Sequence, residues 1–154
     1  MDNITIREAT IEDARHVAHN LRQGDIDELH AYKLDIRPAI MVIEGYQDST
    51  WCRVAVIDDE AALIYGVTPT HKEGEGVVWM LATDKIMQFS REFVRGCRGE
   101  VAEMQKLYPK KLFNYVHKDN AVAKTWLKWL GFKINEKEHC KLGFQYFERG
   151  IKHV

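Results

Sequence analysis

The sequence predicts an α/β fold, a central mixed β-sheet of about six to seven strands with helices on both faces. Three observations predict it. Several short stretches rich in β-branched and aromatic residues either alternate apolar with polar positions or run continuously apolar. Between them, apolar residues recur every three or four positions over longer stretches. The two periods follow one another as strand, helices, hairpin, strand, long helix, strand, helix, two strands. That order implies parallel neighbours joined by right-handed crossovers beside an antiparallel hairpin. A chain of 154 residues, 45% apolar and 29% charged, suits one globular domain over 1–154.

Residues 3–7, "NITIR", alternate Ile4 and Ile6 against Thr5 and Arg7 as a half-buried strand. Thr10 with Asp13 at the third helical position resembles a capping box. It opens a helix running to about residue 21 with Ile11, Ala14, Val17, Ala18 and Leu21 on one face. Gly24 is expected to break it, and Asp25 to start a second short helix. Pro38 starts a third, through about residue 46. The strand 51–57, the polar turn at Asp58, Asp59 and Glu60, and the strand 61–67 form a hairpin. "TPTHKEGEG" reads as a loop and the piece expected to be disordered, and "VVWMLA" at 77–82 as a central strand buried on both faces. A long helix over about 85–108 carries Phe89, Phe93, Cys97, Val101, Met104 and Leu107 at steps of three and four. Gly96 and Gly99 inside it predict a bend. A strand over 112–116 follows. Asp119 or Asn120 caps the next helix, and Gly131 ends it in a left-handed conformation. Strands over 132–136 and 144–148 close the chain around "KEHCKLG".

The formal net charge of -1 gives no general attraction to nucleic acid or anionic membrane. There is no run of 18 apolar residues to span a bilayer, and "MDNITIREAT" carries no signal-peptide pattern. Three widely spaced cysteines without a C-x-x-C argue against a disulfide framework, and a reducing cytoplasm is the natural compartment. Seven scattered histidines give no metal set; His139 and Cys140 are neighbours, but adjacent strand residues point to opposite faces.

The segment Asn120-x-x-Ala123 leading into Leu130-Gly131-Phe132, taken with the element order, resembles the GNAT acetyltransferase superfamily. By element order the resemblance covers nearly the whole chain; by motif it covers about 113–134. A narrower resemblance rests on "VWMLATD", a long helix ending in "YP", "LFNYVHKDN", "WLKWLGF" and "GFQYFER". These blocks are similar to a family of small GNAT-like proteins of tailed bacteriophages, called internal virion protein A in short-tailed phages and labelled acetyltransferases elsewhere. This resemblance implies a protein of the virion or of the host cytoplasm, taking part in virion assembly and binding phage or host proteins.

For an enzyme, the superfamily resemblance implies acetyl-CoA. Its pantetheine would pair with the backbone of strand 78–82, including Leu81 and Ala82. Its pyrophosphate would lie at 83–90, where Thr83, Lys85 and Ser90 are the candidates, and Asn120 would steady the coenzyme's end. The superfamily places a glycine-rich loop at the pyrophosphate because backbone N–H groups must approach the anion closely. Here that position reads "TDKIMQFS", without glycine, with Ile86, Met87 and Phe89 where space is needed and Asp84 adding the wrong charge. "RGCRGE" does hold two glycines, but two turns or more too late. The expectation is therefore that no cofactor is used. The superfamily's proton-donating tyrosine, four residues before the Gly of Gly-Phe, is matched by Leu127. No catalytic set is assigned; His117, Tyr115 and Tyr146 are the candidates, and Glu73 and Glu75 lie in a loop too loose to position a base. The structural reading of His117 is a strand-end histidine bonded to Asp119 and water.

Trp126 and Trp129 read as core anchors, or, if one is partly exposed, as a partner surface. Lys124 and Lys128 form a like-charged pair one turn apart that reads as a solvated face or a binding feature. Arg91, Arg95 and Arg98 form a basic stripe on the long helix. It reads as a solvated face, or as a surface for DNA, an acidic protein or a coenzyme phosphate. No nucleic-acid partner is expected otherwise. Asp25, Asp27 and Glu28 read as acids favoured at a helix N-terminus, or as an acidic edge that selects an amine. Together these readings point to a catalytically degenerate GNAT-like protein that acts by protein–protein binding, with an N-acetyltransferase as the alternative.

Overall fold

The computed structural model describes residues 3–33, 35, 37–137 and 141–150. Among the described residues, seven strands, β1 (Ile4–Glu8), β2 (Trp51–Ile57), β3 (Glu60–Pro69), β4 (Glu75–Ala82), β5 (Lys111–His117), β6 (Lys133–Ile134) and β7 (Phe144–Gly150), form one mixed sheet in the order β1-β2-β3-β4-β5-β7-β6, flanked by helices, as the sequence periods require. The chain divides into two compact units, Met1–Thr68 with Trp79–Gln88 and Pro69–Val78 with Phe89–Val154, so the two halves of the fourth strand belong to different units.

In the first unit, β1 (Ile4–Glu8) pairs antiparallel with β2 (Trp51–Ile57), which pairs antiparallel with β3 (Glu60–Pro69). Asp58 and Asp59 turn the hairpin at φ 49° and 66°, the left-handed pair that a two-residue turn demands and that Asp tolerates. Helix α1 (Ile11–His19) starts with the expected capping box: Thr10 Oγ1 accepts from Asp13 N–H at 3.3 Å, and Asp13 Oδ2 accepts from Thr10 N–H at 2.8 Å. Arg7 adds a bidentate pair to the same carboxylate at 2.6 and 2.9 Å. Burial pushes the Asp13 carboxyl up, but the Arg7 guanidinium and the Thr10 donors outweigh it and hold the group below the usual carboxylate range. A lowered carboxyl contributes stability above its unfolded pKa and loses it as pH falls through the folded value. Wild type is therefore expected to lose more stability than Asp13→Asn between about pH 5 and about pH 3, read from urea midpoints at each pH; equal losses would remove Asp13 from the acid sensitivity.

Ala14 and Val17 of α1, Val42 of α3 (Pro38–Asp48), Val54 and Ile64 are fully buried and form the core of this unit. The first helix stops at His19, short of residue 21, and Gly24 does not break a helix: it lies inside α2 (Gln23–Tyr32). The break falls at 20–22 because Asn20 Nδ2 donates to the His16 carbonyl at 2.9 Å. Leu21 then forms a bridge with Thr83, and Arg22 N–H donates to the Ala82 carbonyl at 2.8 Å. Gly24 supplies space instead, since a Cβ there would lie 2.2 Å from Arg22 Nη1.

Of "TPTHKEGEG", read as a loop, Thr68 and Pro69 belong to β3 and Glu75 and Gly76 to β4, so the connection is only 70–74. Thr70 Oγ1 accepts from Lys72 N–H at 3.1 Å and lies 3.0 Å from the Glu75 carbonyl, and β4 (Glu75–Ala82) begins there. Its Val77, Trp79 and Met80 are half-buried, so β4 is not buried on both faces throughout. Glu75–Val77 pair in parallel with the start of β5 (Lys111–His117), and β5 pairs along its length with β7 (Phe144–Gly150).

The long helix of 85–108 is three pieces: a 3-10 turn over Asp84–Gln88, α4 (Arg91–Gly96) and α5 (Arg98–Leu107). Thr83 accepts from Ile86 N–H at 3.1 Å, a bond of 3-10 span, and Ser90 caps α4, so a continuous helix cannot form there. The interruption at Cys97 sits between Gly96 and Gly99, where the bend was expected. Leu107 is exposed and does not join the apolar ridge.

Helix α6 (Ala121–Trp129) is capped by Asn120, whose Oδ1 accepts from Ala123 N–H at 3.3 Å. It ends in a Schellman motif: Phe132 N–H donates to the Leu127 carbonyl at 3.0 Å, and Gly131 N–H to that of Lys128 at 3.1 Å. Phe132 is thereby used to close the helix, and the strand expected over 132–136 shrinks to β6 (Lys133–Ile134). Gly131 has φ +94°, and the nearest atom to an added Cβ is Arg149 Nε at 3.6 Å. Gly131→Ala should therefore cost about 1–2 kcal/mol from backbone strain alone; a loss no larger than that of an ordinary surface substitution, by urea denaturation, would contradict this.

Candidate functional site

In a strand, successive residues direct their N–H and C=O to opposite edges. Thr83 N–H donates to the Ala62 carbonyl of β3 at 2.9 Å, so Ala82 presents its groups to the other edge of β4. Both are taken. Ala82 N–H donates to Asp25 Oδ2 at 2.9 Å, and the Ala82 carbonyl accepts from Arg22 N–H at 2.8 Å. Arg22 and Asp25 are 8% and 6% exposed, with Nε and Oδ1 3.7 Å apart. Leu81, Ala82 and Thr83 are all buried. Of the acids read as an edge for an amine, Asp25 is turned inward, while Asp27 accepts from Gln23 Nε2 at 2.8 Å.

The 3-10 turn after β4 is anchored within the same unit. Lys85 Nζ lies 3.0 Å from Glu60 Oε2, and His16 Nε2 lies 3.2 Å from Glu60 Oε1. The hydrogen bond from Lys85 is the main cause holding the Glu60 carboxyl below its ordinary range. Ile86 is buried, whereas Met87 is 71% exposed and fills no interior space.

In the second unit, Ser90 Oγ accepts from Phe93 N–H at 3.0 Å as the cap of α4. Phe89 is buried, stacked on Phe93 at 4.8 Å and edge-on to Trp126 at 5.7 Å. Trp126 is core, and Trp129 is half-buried. The basic stripe is cut at Cys97 and largely occupied: Arg91 lies 5.7 Å from the Trp129 ring centroid, and Arg98 Nε donates to the Trp129 carbonyl at 2.7 Å. Arg95 is exposed. Lys124 and Lys128 converge on Glu136 at 3.3 and 2.9 Å, which relieves the like-charged pair. Those two lysines, Lys128 foremost, hold the Glu136 carboxyl below its usual range.

The three candidate proton-transfer residues share one sheet face. Tyr115 lies opposite Tyr146 and His117 opposite Phe144, with Phe113 opposite Glu148. The Tyr115 and Tyr146 rings meet edge-on at 5.4 Å. Tyr146 Oη donates to Glu148 Oε2 at 2.8 Å, and Lys111 Nζ lies 4.8 Å from the Phe113 ring and 5.5 Å from that of Tyr146. Burial, joined by Glu148 and opposed by Lys111, pushes the Tyr146 phenol up, which makes it a weaker acid. His117 Nδ1 accepts from Asp119 N–H at 3.2 Å, with Asp119 Oδ2 at 3.8 Å, the strand-end arrangement read from the sequence. Glu75 lies 3.6 Å from Lys111. Leu127, the residue that the sequence resemblance sets against a proton-donating tyrosine, is buried. Burial pushes the Cys52 and Cys97 thiols up to about 12 and about 11, so neither is a thiolate near neutrality. His139 and Cys140 lie outside the described residues.

Sequence reasoning missed the Arg22–Asp25–Ala82 contact and the Glu60 anchor of Lys85. Nothing local signals either, because Asp25 and Ala82 are 57 residues apart. Strand alternation in "KLFNYVH" puts Tyr115 and His117 on one face, but Tyr146 joins them only through the β5–β7 register, which the sequence does not signal.

No protein-family model and no curated protein sequence matches the chain. Solved structures match it throughout. An acetyltransferase of the GNAT family from Streptococcus pneumoniae superposes with TM-score 0.60 at 15% identity, covering 97% of this chain and 100% of that one. The PaiA N-acetyltransferase from Thermoplasma acidophilum, in complex with coenzyme A, gives 0.64 at 12%, covering 97% and 99%. The ribosomal-protein-S18-alanine N-acetyltransferase from Escherichia coli gives 0.63 at 13%, covering 99% and 96%. At these identities the likeness shows the fold: this chain has the GNAT fold. Among the described residues, no helix is long and apolar enough to cross a membrane.

Proposed function

We propose that this chain, a GNAT-fold protein, acts by binding other proteins and does not transfer acetyl groups. The observation that carries the reading is the state of Ala82, whose N–H and C=O are both bonded within the chain, to Asp25 and Arg22. An enzyme of this fold would use the backbone of that strand to hold pantetheine. The groups left for the pyrophosphate point the same way: Lys85 is paired with Glu60, and the Ser90 oxygen caps α4. A fold hosts many functions, and the site decides among them. Within this reading the sequence blocks from "VWMLATD" to "GFQYFER" support a phage protein of the virion or of its assembly in the host cytoplasm, with phage or host proteins as partners. Calorimetric titration with acetyl-CoA at sub-millimolar concentration tests the central claim: no heat of binding is expected, and micromolar affinity overturns it. Mass spectrometry of purified particles tests the virion role, which absence from the particle would reduce to assembly or infected-cell work.

One observation favours the N-acetyltransferase instead. The β4–β5 ladder ends at Val77 and Phe113, and the next β4 carbonyl, that of Val78, accepts at 2.7 Å from the Asn114 side chain, not from a strand backbone. Pairing with β5 thus ends partway along β4, as an acetyl-CoA enzyme needs. In that reading the first unit would offer acetyl-CoA Leu81, Ala82, Thr83 and Lys85, after Asp25 and Glu60 release their partners, and the second would offer Ser90 and Asn120. Tyr115, Tyr146 or His117 would serve proton transfer. The same titration decides between the two.

A further inference from the structure

We infer that the first turn of α2 is an internal latch on the C-terminal end of β4, an autoinhibitory contact that can open without unfolding the sheet. The inference rests on the reading that this end of β4 is closed to acetyl-CoA, and says what closes it.

Sheet edges are normally protected by another strand, by charge or by a bulge. Here a buried carboxylate does it. Asp25 is the one buried residue of α2; its apolar Ile26 and Leu29 are half-buried, Leu29 against the core of this unit, so the helix sets few apolar side chains against its surroundings. Its first turn is held by polar contacts: Asp25 to Ala82 N–H, Arg22 N–H to the Ala82 carbonyl, and the Arg22–Asp25 pair. Segments with few buried apolar side chains open at a free energy well below that of global unfolding. A buried ion pair is also a poor anchor, since its attraction must first repay the desolvation of two charges, and water restores that hydration on opening. Gly24 belongs to the seat: the Arg22 guanidinium occupies the space where a Cβ would stand, so the pair folds back over its own helix turn. Thr83, one residue along, is bonded to β3 and remains in the sheet when the latch opens. What an open latch exposes is one N–H donor and one carbonyl acceptor on the same residue, the complement of a secondary amide such as those of pantetheine.

The test compares wild type with Asp25→Ala and with the double variant Arg22→Met/Asp25→Leu, which replaces both charges by apolar side chains. Amide hydrogen exchange is followed by NMR at Ala82 and Thr83, and acetyl-CoA is titrated into each protein. In both variants Ala82 should exchange at least about tenfold faster than in wild type, with Thr83 unchanged, and acetyl-CoA should bind at least about tenfold more tightly. Parallel acceleration of Ala82 and Thr83 overturns the latch, because the end of β4 then opens as a whole. An accelerated Ala82 with no gain in affinity overturns its autoinhibitory role. Should Asp25→Ala fail to fold, the double variant decides alone. A wild-type protein that already binds acetyl-CoA tightly overturns the reading under Proposed function; silence in wild type and variants alike overturns the latch only.

Discussion

Trp126→Ala is expected to destabilise the protein by about 3–5 kcal/mol in urea unfolding. Trp126 is 7% exposed and is one of two buried residues of α6, the other being Leu127. Its ring meets that of Phe89 in a T-shaped pair, and Phe89 stacks in turn on Phe93, so truncation opens a cavity beside aromatic rings. Edge-to-face geometry adds about 0.5–1.5 kcal/mol per pair beyond burial. Trp129→Ala is the internal comparison. That ring is half-buried under Arg91, so its loss should cost about 1–2 kcal/mol. Equal costs for the two tryptophans would show that the sequence reading of two core anchors was right and the burial difference energetically empty.

Ile64→Ala should cost about 2–5 kcal/mol, and Ile64→Val about 0.5–1.5 kcal/mol. Ile64 is fully buried in the middle of β3, in a cluster with Ala14, Val17, Val42 and Val54. Most of those neighbours are β-branched and stiff at χ1, so they cannot swing into the space of a lost side chain. A cost below about 1 kcal/mol for the alanine variant would mean that the core of this unit repacks freely.

The sequence was most legible where the deciding interaction is local. The Thr10–Asp13 capping box, the Asn120 cap and the left-handed Gly131 all follow from hydrogen bonds spanning three to five residues, which the chain encodes in adjacent letters. It misled where a short-range signal met a long-range partner. Gly24 looks like a helix breaker because Gly is a poor helix former, yet the break lies at 20–22, where the backbone turns to bond Ala82. The apolar spacing of 85–108 looks like one helix because Phe89 falls in phase with Phe93. Its first turn is instead a 3-10 segment, since Thr83 and Ser90 supply competing bonds at its two ends. Of the candidate site, strand alternation puts Tyr115 and His117 on one face of β5, but nothing local signals the pairing that adds Tyr146 or the partners of Asp25, Lys85 and Glu136.

By itself, then, the sequence determined the α/β class, the element order, the start of α1 and both ends of α6, because hydrophobic period and capping chemistry act within a few residues. Only the tertiary structure decided which polar groups remain available to a ligand. Asp25 reaches Ala82, Lys85 reaches Glu60 and Glu136 gathers Lys124 and Lys128. Two of these pairings, Asp25 with Ala82 and Lys85 with Glu60, join segments far apart in the chain, and the third depends on where the chain turns after α6. All three exist only once folding has set strands and helices side by side, a geometry that no local signal carries.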